Sequence, residues 1–378
     1  MNILIATDSY KGSLSSLRAG EAIKQGALRA FPQGTVTVCA LADGGEGTAE
    51  AIVNAQNGEM ISIPVSDPLM RRINATYGLC GSCAVLEMAT AAGITLVSNA
   101  ERDAMNTTTY GVGEIIRDAI MRGSREFVVG IGGSATNDGG TGMLAALGFE
   151  FLDENGEKIE LSGKGLERLR KIETKNRLKE LDECTFTVAC DVTNPLCGKN
   201  GCTEIYGRQK GLTEENVIKM DGWLKNYGEL TKAVCEKADP EAAGAGAAGG
   251  LGFGFMAYLN GKLLSGIDIV LEKTGLEEKI KKCDIVVTGE GRLDGQSVMG
   301  KAPVGVARMA KKYEKPVIAF AGCVTDDAYK LNDHGIDAFF PILKAPCTLE
   351  SAMDVDNAFK NLSDTAYQAF NLIKTFKE

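Results

Sequence analysis

Three short stretches share a mixture of carboxylates, cations and glycines. "TDSYKGS" carries Asp8, Ser9 and Lys11. "ADGGEGT" carries Asp43, Gly44, Gly45, Gly47 and Thr48. "TGEGRLDGQSVMGK" carries Gly289, Glu290, Gly291, Arg292, Asp294, Gln296 and Lys301. Any one of them suits a helix cap and a turn, because Asp, Ser and Thr cap helices and Gly makes turns. Three together supply the parts of phosphoryl transfer: glycine backbone for an anion, carboxylates for Mg²⁺, and cations against phosphate charge. Asp8, Asp43, Glu290 and Asp294 are the expected Mg²⁺-side carboxylates. Lys11 and Lys301 are expected to hold a phosphate or a substrate carboxylate. Ser9, Gly44, Gly45, Gly47, Thr48, Gly289, Gly291, Arg292 and Gln296 are expected to line the binding site for ATP or its co-substrate.

Two more stretches belong with these. "GIGGSATNDGGTG" (130–142) follows a buried-strand pattern and precedes a helix, so Gly133, Ser134, Thr136 and Asn137 are expected to bind an anionic substrate. Its Asp138 reads equally well as a helix cap. "CDVTNPLCG" (190–198) places Asp191 and Asn194 just past another strand. His334 is the only histidine, in the turn-like "NDHGID", so acid–base work falls to carboxylates. Asp191 is the expected general base, with Asn194 beside it for substrate hydroxyls.

Three familiar patterns do not hold. Gly295, Gly300 and Lys301 nearly spell the phosphate loop G-x-x-x-x-G-K-[ST], but Ala302 lacks the Mg²⁺-binding hydroxyl and the strand ends near residue 288, too early. "GAGAAG" (244–249) matches the dinucleotide motif by letter, yet "CEKADPEA" before it is no strand. Cys80 and Cys83 form a C-x-x-C without a second pair at metal-ligand spacing, so a hairpin turn is the simpler reading.

At 378 residues the chain suits two domains. Its net charge of −9 and lack of basic runs argue against nucleic acid as a partner. No apolar stretch is long enough to span a membrane, the first residues read as a strand rather than a signal peptide, and eleven scattered Cys suit reduced thiols, so a cytoplasmic protein is expected. Apolar runs at 3–6, 35–41, 283–289, 316–322 and 337–342 alternate with helix-period segments at 16–31, 46–56, 302–313 and 355–376. That is the pattern of a parallel, doubly wound α/β sheet split between the chain ends, over 1–61 and 276–378. Runs at 59–66, 73–80 and 84–89 are too closely spaced for crossovers and suggest antiparallel pairing. The segment 149–161 suggests a hairpin turning at 154–156. Residues 62–275 therefore read as an inserted, mixed α/β domain.

In order along the chain, "DSYKGSLS", "ADGGEGT", "GGSATNDGGTGM", "CDVTNPLCG", "GAGAAGGLGFG" and "TGEGRLDGQSVMGKAPVGVA" resemble the bacterial glycerate kinase family of the 2-kinase type. The resemblance runs from residue 1 to the final helix. It implies a flavodoxin-like domain split between the chain ends and an inserted second domain. It also implies transfer of the ATP γ-phosphoryl group to D-glycerate, typically at the 2-hydroxyl, with ATP and Mg²⁺ as cofactors and a monomer or homodimer as the assembly. The chain departs from the family at Tyr10, often Phe, and at Arg208, which adds a charge where the family often has Pro. Two other readings compete: a small-carboxylate-binding protein without turnover, which has little use for so many carboxylates, and a nucleotide-dependent oxidoreductase, which the strandless "GAGAAG" disfavours.

Overall fold

The computed structural model describes residues 1–295, 297–299 and 301–376. The strands among them are β1 (Asn2–Thr7), β2 (Thr35–Ala40), β3 (Glu59–Ser66), β4 (Arg72–Cys80), β5 (Cys83–Glu87), β6 (Glu126–Gly130), β7 (Glu150–Leu152), β8 (Lys171–Glu173), β9 (Thr185–Ala189), β10 (Lys262–Leu264), β11 (Ile285–Leu293), β12 (Val317–Val324) and β13 (Ala338–Pro341). The chain forms two compact units. The first holds Met1–Asp43, Glu50–Asn57 and the chain from Ile267 onward; the second holds Gly44–Ala49 and Gly58–Gly266.

The first unit is built on one sheet in the order β13-β12-β11-β1-β2, every neighbour parallel. Counted within this unit, that is the 2-1-3-4-5 order of a flavodoxin-like doubly wound fold. β1 and β11 are buried almost throughout, as the runs "ILIA" and "IVV" require of central parallel strands. Helix Ser16–Ala30 buries Ala19, Ala22, Ile23, Ala27 and Ala30, a stripe at helical spacing. It packs with Ala358, Leu362, Ala366 and Phe370 of helix Val355–Thr375 in one core. Each helix starts on a side-chain cap, Ser15 for the first and Asp354 for the second.

The strand expected at 283–289 runs four residues further, to Leu293. Its partner β12 also continues, and Arg292 pairs with Cys323 and Leu293 with Val324. Glycines and charges that read as a loop are thus ladder residues, because an extended neighbour offers them hydrogen bonds.

The second unit has a six-stranded sheet in the order β10-β9-β6-β5-β4-β3. β3, β4 and β5 pair antiparallel, with Cys80 opposite Cys83 across a two-residue turn. β5, β6, β9 and β10 run parallel. The hairpin expected over 149–161 is reduced to a turn with one bridge, Leu152 to Lys158. Instead β7 pairs with β8, twenty residues on. The reason lies in Asp153, whose carboxylate accepts the amides of Asn155 and Glu157 and the guanidinium of Arg168. The turn closes on itself, and Arg168 brings the segment before β8 alongside β7. None of the eleven cysteines, all among the described residues, is in a disulfide. No helix of the described residues is long and apolar enough to cross a membrane.

Candidate active site

In a doubly wound sheet, ligands bind beyond the carboxyl ends of the strands where the strand order reverses. In the first unit that point lies between β1 and β11. Asp8 directly follows β1, Asp43 follows β2, and Glu290 lies in β11. The two central strand ends are locked together. The Asp8 amide and the Thr7 hydroxyl both donate to the Gly289 carbonyl, at 2.9 Å each. Tyr10 turns back into the core and donates to the Phe320 carbonyl at 2.8 Å. Gly289 is needed here: a Cβ would collide with the Phe320 carbonyl and lie 2.9 Å from the Tyr10 hydroxyl. Gly291 passes close beneath the Tyr10–Lys11 backbone.

Asp8 is only 3% exposed and accepts the Ser9 amide at 2.6 Å. Burial, and then the negative charge of Asp43, raise its pKa to about 7, against the pull of the Ser9 amide and Lys11. Glu290 is also buried and accepts the Ser297 hydroxyl at 2.6 Å. Its carboxyl is held above the usual range by burial, with Ser297 and Lys301 opposing. The cations stand at the outer edge. Lys11 lies 3.8 Å from Asp43, Arg292 3.3 Å and Lys301 3.9 Å from Asp294. These pairs are loose and solvated, so they contribute little stability and leave the cations available to a ligand. Lys301 stands just ahead of helix Ala302–Lys311. Gln296 lies outside the described residues.

Does this rim fit Mg²⁺? Its donors are hard carboxylate oxygens, and the charges of Asp43 and Glu290 raise the proton affinity of Asp8, as those of Asp294 and Asp43 raise that of Glu290, which a cation would relieve. Among the described residues no group of three or more His, Cys, Asp or Glu is placed to enclose a metal. Mg²⁺ commonly uses one or two carboxylates together with water and phosphate oxygens, and the rim fits that partial role.

The second unit holds its residues differently. The Gly44–Thr48 turn lies at the start of helix Thr48–Gln56, but an internal carboxylate takes its amides: Glu87, the last residue of β5, accepts the Ala49 amide at 2.9 Å and also those of Gly47 and Thr48. Gly44 is buried against Gly266 and Ala189, Gly45 is half-buried, and the Thr48 hydroxyl is buried without a partner. The loop after β6 is stiffly held. Asp138 is fully buried and accepts the amides of Thr109, Gly140 and Gly142 and the Thr109 hydroxyl. It is thus a structural staple. Gly133 is exposed, Ser134 lies at the surface boundary, and Thr136 and Asn137 are buried. The Asn137 amide nitrogen donates to Thr203 at 2.8 Å.

After β9, Asp191 is exposed, and one of its carboxylate oxygens accepts the Gly266 amide at 3.2 Å. The Asn194 side chain ties its own loop, accepting from Tyr206 and donating to the Asn200 carbonyl, both at 2.8 Å. His334 is exposed at the end of a 3₁₀ segment. The added charge of Arg208 is answered locally by Glu204 and Glu214.

Sequence reasoning missed Glu87 and Lys210. Glu87 ends an apolar strand nearly forty residues from the turn it caps, so spacing does not reveal it. Lys210 is 3% exposed, two residues past Arg208 in "YGRQKG", and donates to Ser134 and to the Thr136 carbonyl. The available signal was the glycine on each side, Gly207 and Gly211, which lets a turn carry the lysine inward.

The family model described as "Glycerate kinase family" matches residues 3–374. A protein of Escherichia coli (strain K12) named Glycerate 2-kinase is 44% identical over 97% of this chain and 98% of its own. A Glycerate kinase of Haemophilus influenzae is 45% identical over 91% of each chain. A solved structure from Salmonella typhimurium LT2, described as a glycerate kinase 2, superposes with a TM-score of 0.91 at 44% identity, covering 100% of this chain and 99% of that one. With a switch-point rim of carboxylates and cations and a match along almost its whole length, this chain belongs to the glycerate kinase family.

Proposed function

We propose that this protein transfers the γ-phosphoryl group of ATP to the 2-hydroxyl of D-glycerate, giving 2-phosphoglycerate and ADP. The observation that carries the reading is the near full-length similarity to a protein named Glycerate 2-kinase. The chemistry of the rim agrees with it. In the reaction the hydroxyl O–H bond breaks, an O–P bond forms, and the bond from Pγ to the β,γ-bridging oxygen breaks. The protein's tasks are to position two anions, to offset their charge and to accept one proton.

Asp191 is our choice for the proton acceptor, since it is exposed just past β9 and the Gly266 amide orients its carboxylate. Lys11, Lys301 and Arg292 offset phosphate or carboxylate charge. Asp8, Asp43, Glu290 and Asp294 would hold Mg²⁺, which when bound neutralises charge on the phosphate oxygens. Ser9, Gly289 and Gly291 shape the rim. Gly44, Gly45, Gly47, Thr48, Gly133, Ser134, Thr136, Asn137 and Asn194 bind or brace the substrates. Eleven cysteines outside disulfides suit a cytoplasmic setting.

Incubation with ATP, Mg²⁺ and D-glycerate, following ADP release and identifying the product by phosphorus NMR, tests the reading. Glycerate-dependent ADP release with 2-phosphoglycerate as product is expected. ADP release that glycerate does not stimulate would overturn it, and 3-phosphoglycerate would overturn the position assigned.

A further inference from the structure

Lys210 is the one lysine of the described residues that the fold buries so deeply, and its ammonium is held by neutral oxygens. Its ammonium donates to the Ser134 hydroxyl oxygen and to the Thr136 carbonyl, each at 2.7 Å. An ammonium donates only, so the Ser134 oxygen must accept, and its own proton must point elsewhere. Among the described residues that proton finds no acceptor, while Gly132 and Gly133 beside it are exposed. The hydroxyl therefore presents its hydrogen outward with a fixed positive charge behind it.

The rest of the loop leaves it little freedom to do anything else. Residues 248–250 adopt left-handed backbone conformations in succession, an arrangement an alanine tolerates poorly. They bring Gly249 so close to the loop that a Cβ there would collide with the Thr136 carbonyl, and the Gly249 carbonyl accepts the Gly139 amide at 2.9 Å. The Thr136 carbonyl is thus gripped by Lys210 and crowded by Gly249. A preorganised donor of this kind is what a developing or resident negative charge requires.

We infer that Lys210 is a positioning residue that fixes Ser134 as an outward donor to an anionic oxygen of a bound substrate. The oxygen belongs either to the glycerate carboxylate or to the phosphoryl groups of ATP. The inference rests on the kinase reading above. The titratable groups acting on the ammonium are Cys202 and Asp138. Asp138 already has five donors on its oxygens, and burial keeps Cys202 a neutral thiol, its pKa raised to about 11. Burial lowers Lys210 itself to about 8, so its charge is present below that pH and lost above it.

The test is steady-state kinetics on the full chain with ATP, Mg²⁺ and D-glycerate, from pH 6.5 to 9.5. Ser134→Ala, Lys210→Met and Lys210→Arg are compared with the wild type, each checked for an intact melting transition. Ser134→Ala is expected to lower kcat/KM tenfold or more at pH 7.5. The wild type is expected to lose activity above about pH 8, Ser134→Ala to show a flatter limb, and Lys210→Arg to keep activity at pH 9.5. The Ser134→Ala loss, placed on KM for glycerate or on KM for ATP, says which anion is bound. If Lys210→Met does not fold, Ser134→Ala decides alone. Ser134→Ala within twofold of wild type at pH 7.5 overturns the inference and leaves the kinase reading standing. A wild-type protein without glycerate-dependent turnover overturns both.

Discussion

The first unit gathers charge beyond its strand ends; the second gathers backbone amides and hydroxyls in its loops. In the first, Asp8, Asp43, Glu290 and Asp294 crowd together and Lys11, Arg292 and Lys301 stand loosely around them. The arrangement is electrostatically unsettled, since burial and the neighbouring carboxylates raise the pKa of Asp8 and of Glu290. In the second, four charged groups near the loops are bound up. Glu87 caps a helix, Asp138 is wrapped in donors, Arg208 is paired and Lys210 is buried. The difference teaches that one family motif, the glycine-rich loop with an acid, serves two physical ends. In the first unit the acids sit beside cations that pair with them only loosely. In the second the acid is consumed in holding the loop.

The largest effect should come from the exposed acid that does not fit this division. Asp191→Asn is expected to lower kcat about a thousandfold, in the range for a lost general base, with ATP affinity nearly unchanged. His334→Ala should change neither. Weakened ATP–Mg²⁺ binding with normal kcat at saturation would make Asp191 a metal-side residue and move the base to the first unit. Next come the loose cations. Lys11→Met and Lys301→Met are each expected to cost about 2–4 kcal/mol of transition-state stabilisation, by analogy with the loss of one preorganised donor. Near wild-type kcat/KM in both variants would reduce the rim's cations to ordinary solvated surface.

The smallest effect concerns stability. The folded-state pKa of Asp8 is about 7, above its unfolded value near 3.9. Between those values the folded state binds more protons, so this group's contribution falls as pH rises from about 4 to 7 and is constant above. Asp8→Asn should therefore match the wild type near pH 4 and exceed it by about 2–4 kcal/mol at pH 8, read as a rise in denaturation midpoint. Equal midpoints at pH 8 would show that Asp8 is not under charge stress without a ligand.

Much of the fold was legible because parallel strands buried on both faces must be apolar runs, and "ILIA", "IVV" and "VIAF" have few other uses. The helices at 16–30 and 355–375 were legible from stripes of small and apolar residues. The end of β11 was not, since "GEGRL" is poor strand sequence that only the extension of β12 makes into one. Nor was the 149–161 region, where one buried carboxylate, Asp153, diverts a hairpin into a turn. The rim's residues stood out by composition, as each follows or ends a strand. The braces did not: Glu87 and Lys210 act on loops remote in sequence, and the glycines around Lys210 mark a turn without saying which loop it reaches.

The split of the first unit has a consequence for synthesis. Thr7 bonds to Gly289, 282 residues along the chain. At roughly 5–20 residues per second, the ribosome needs roughly 15–55 s between those two residues. For that interval β1 and β2 carry apolar faces and an unpaired edge, because the central neighbour of β1 does not yet exist. The entire second unit is made meanwhile. A newly made chain thus waits with its sticky first strands exposed while its middle is completed, a state in which early termination leaves a sheet without its centre and chaperones have their longest opportunity to act.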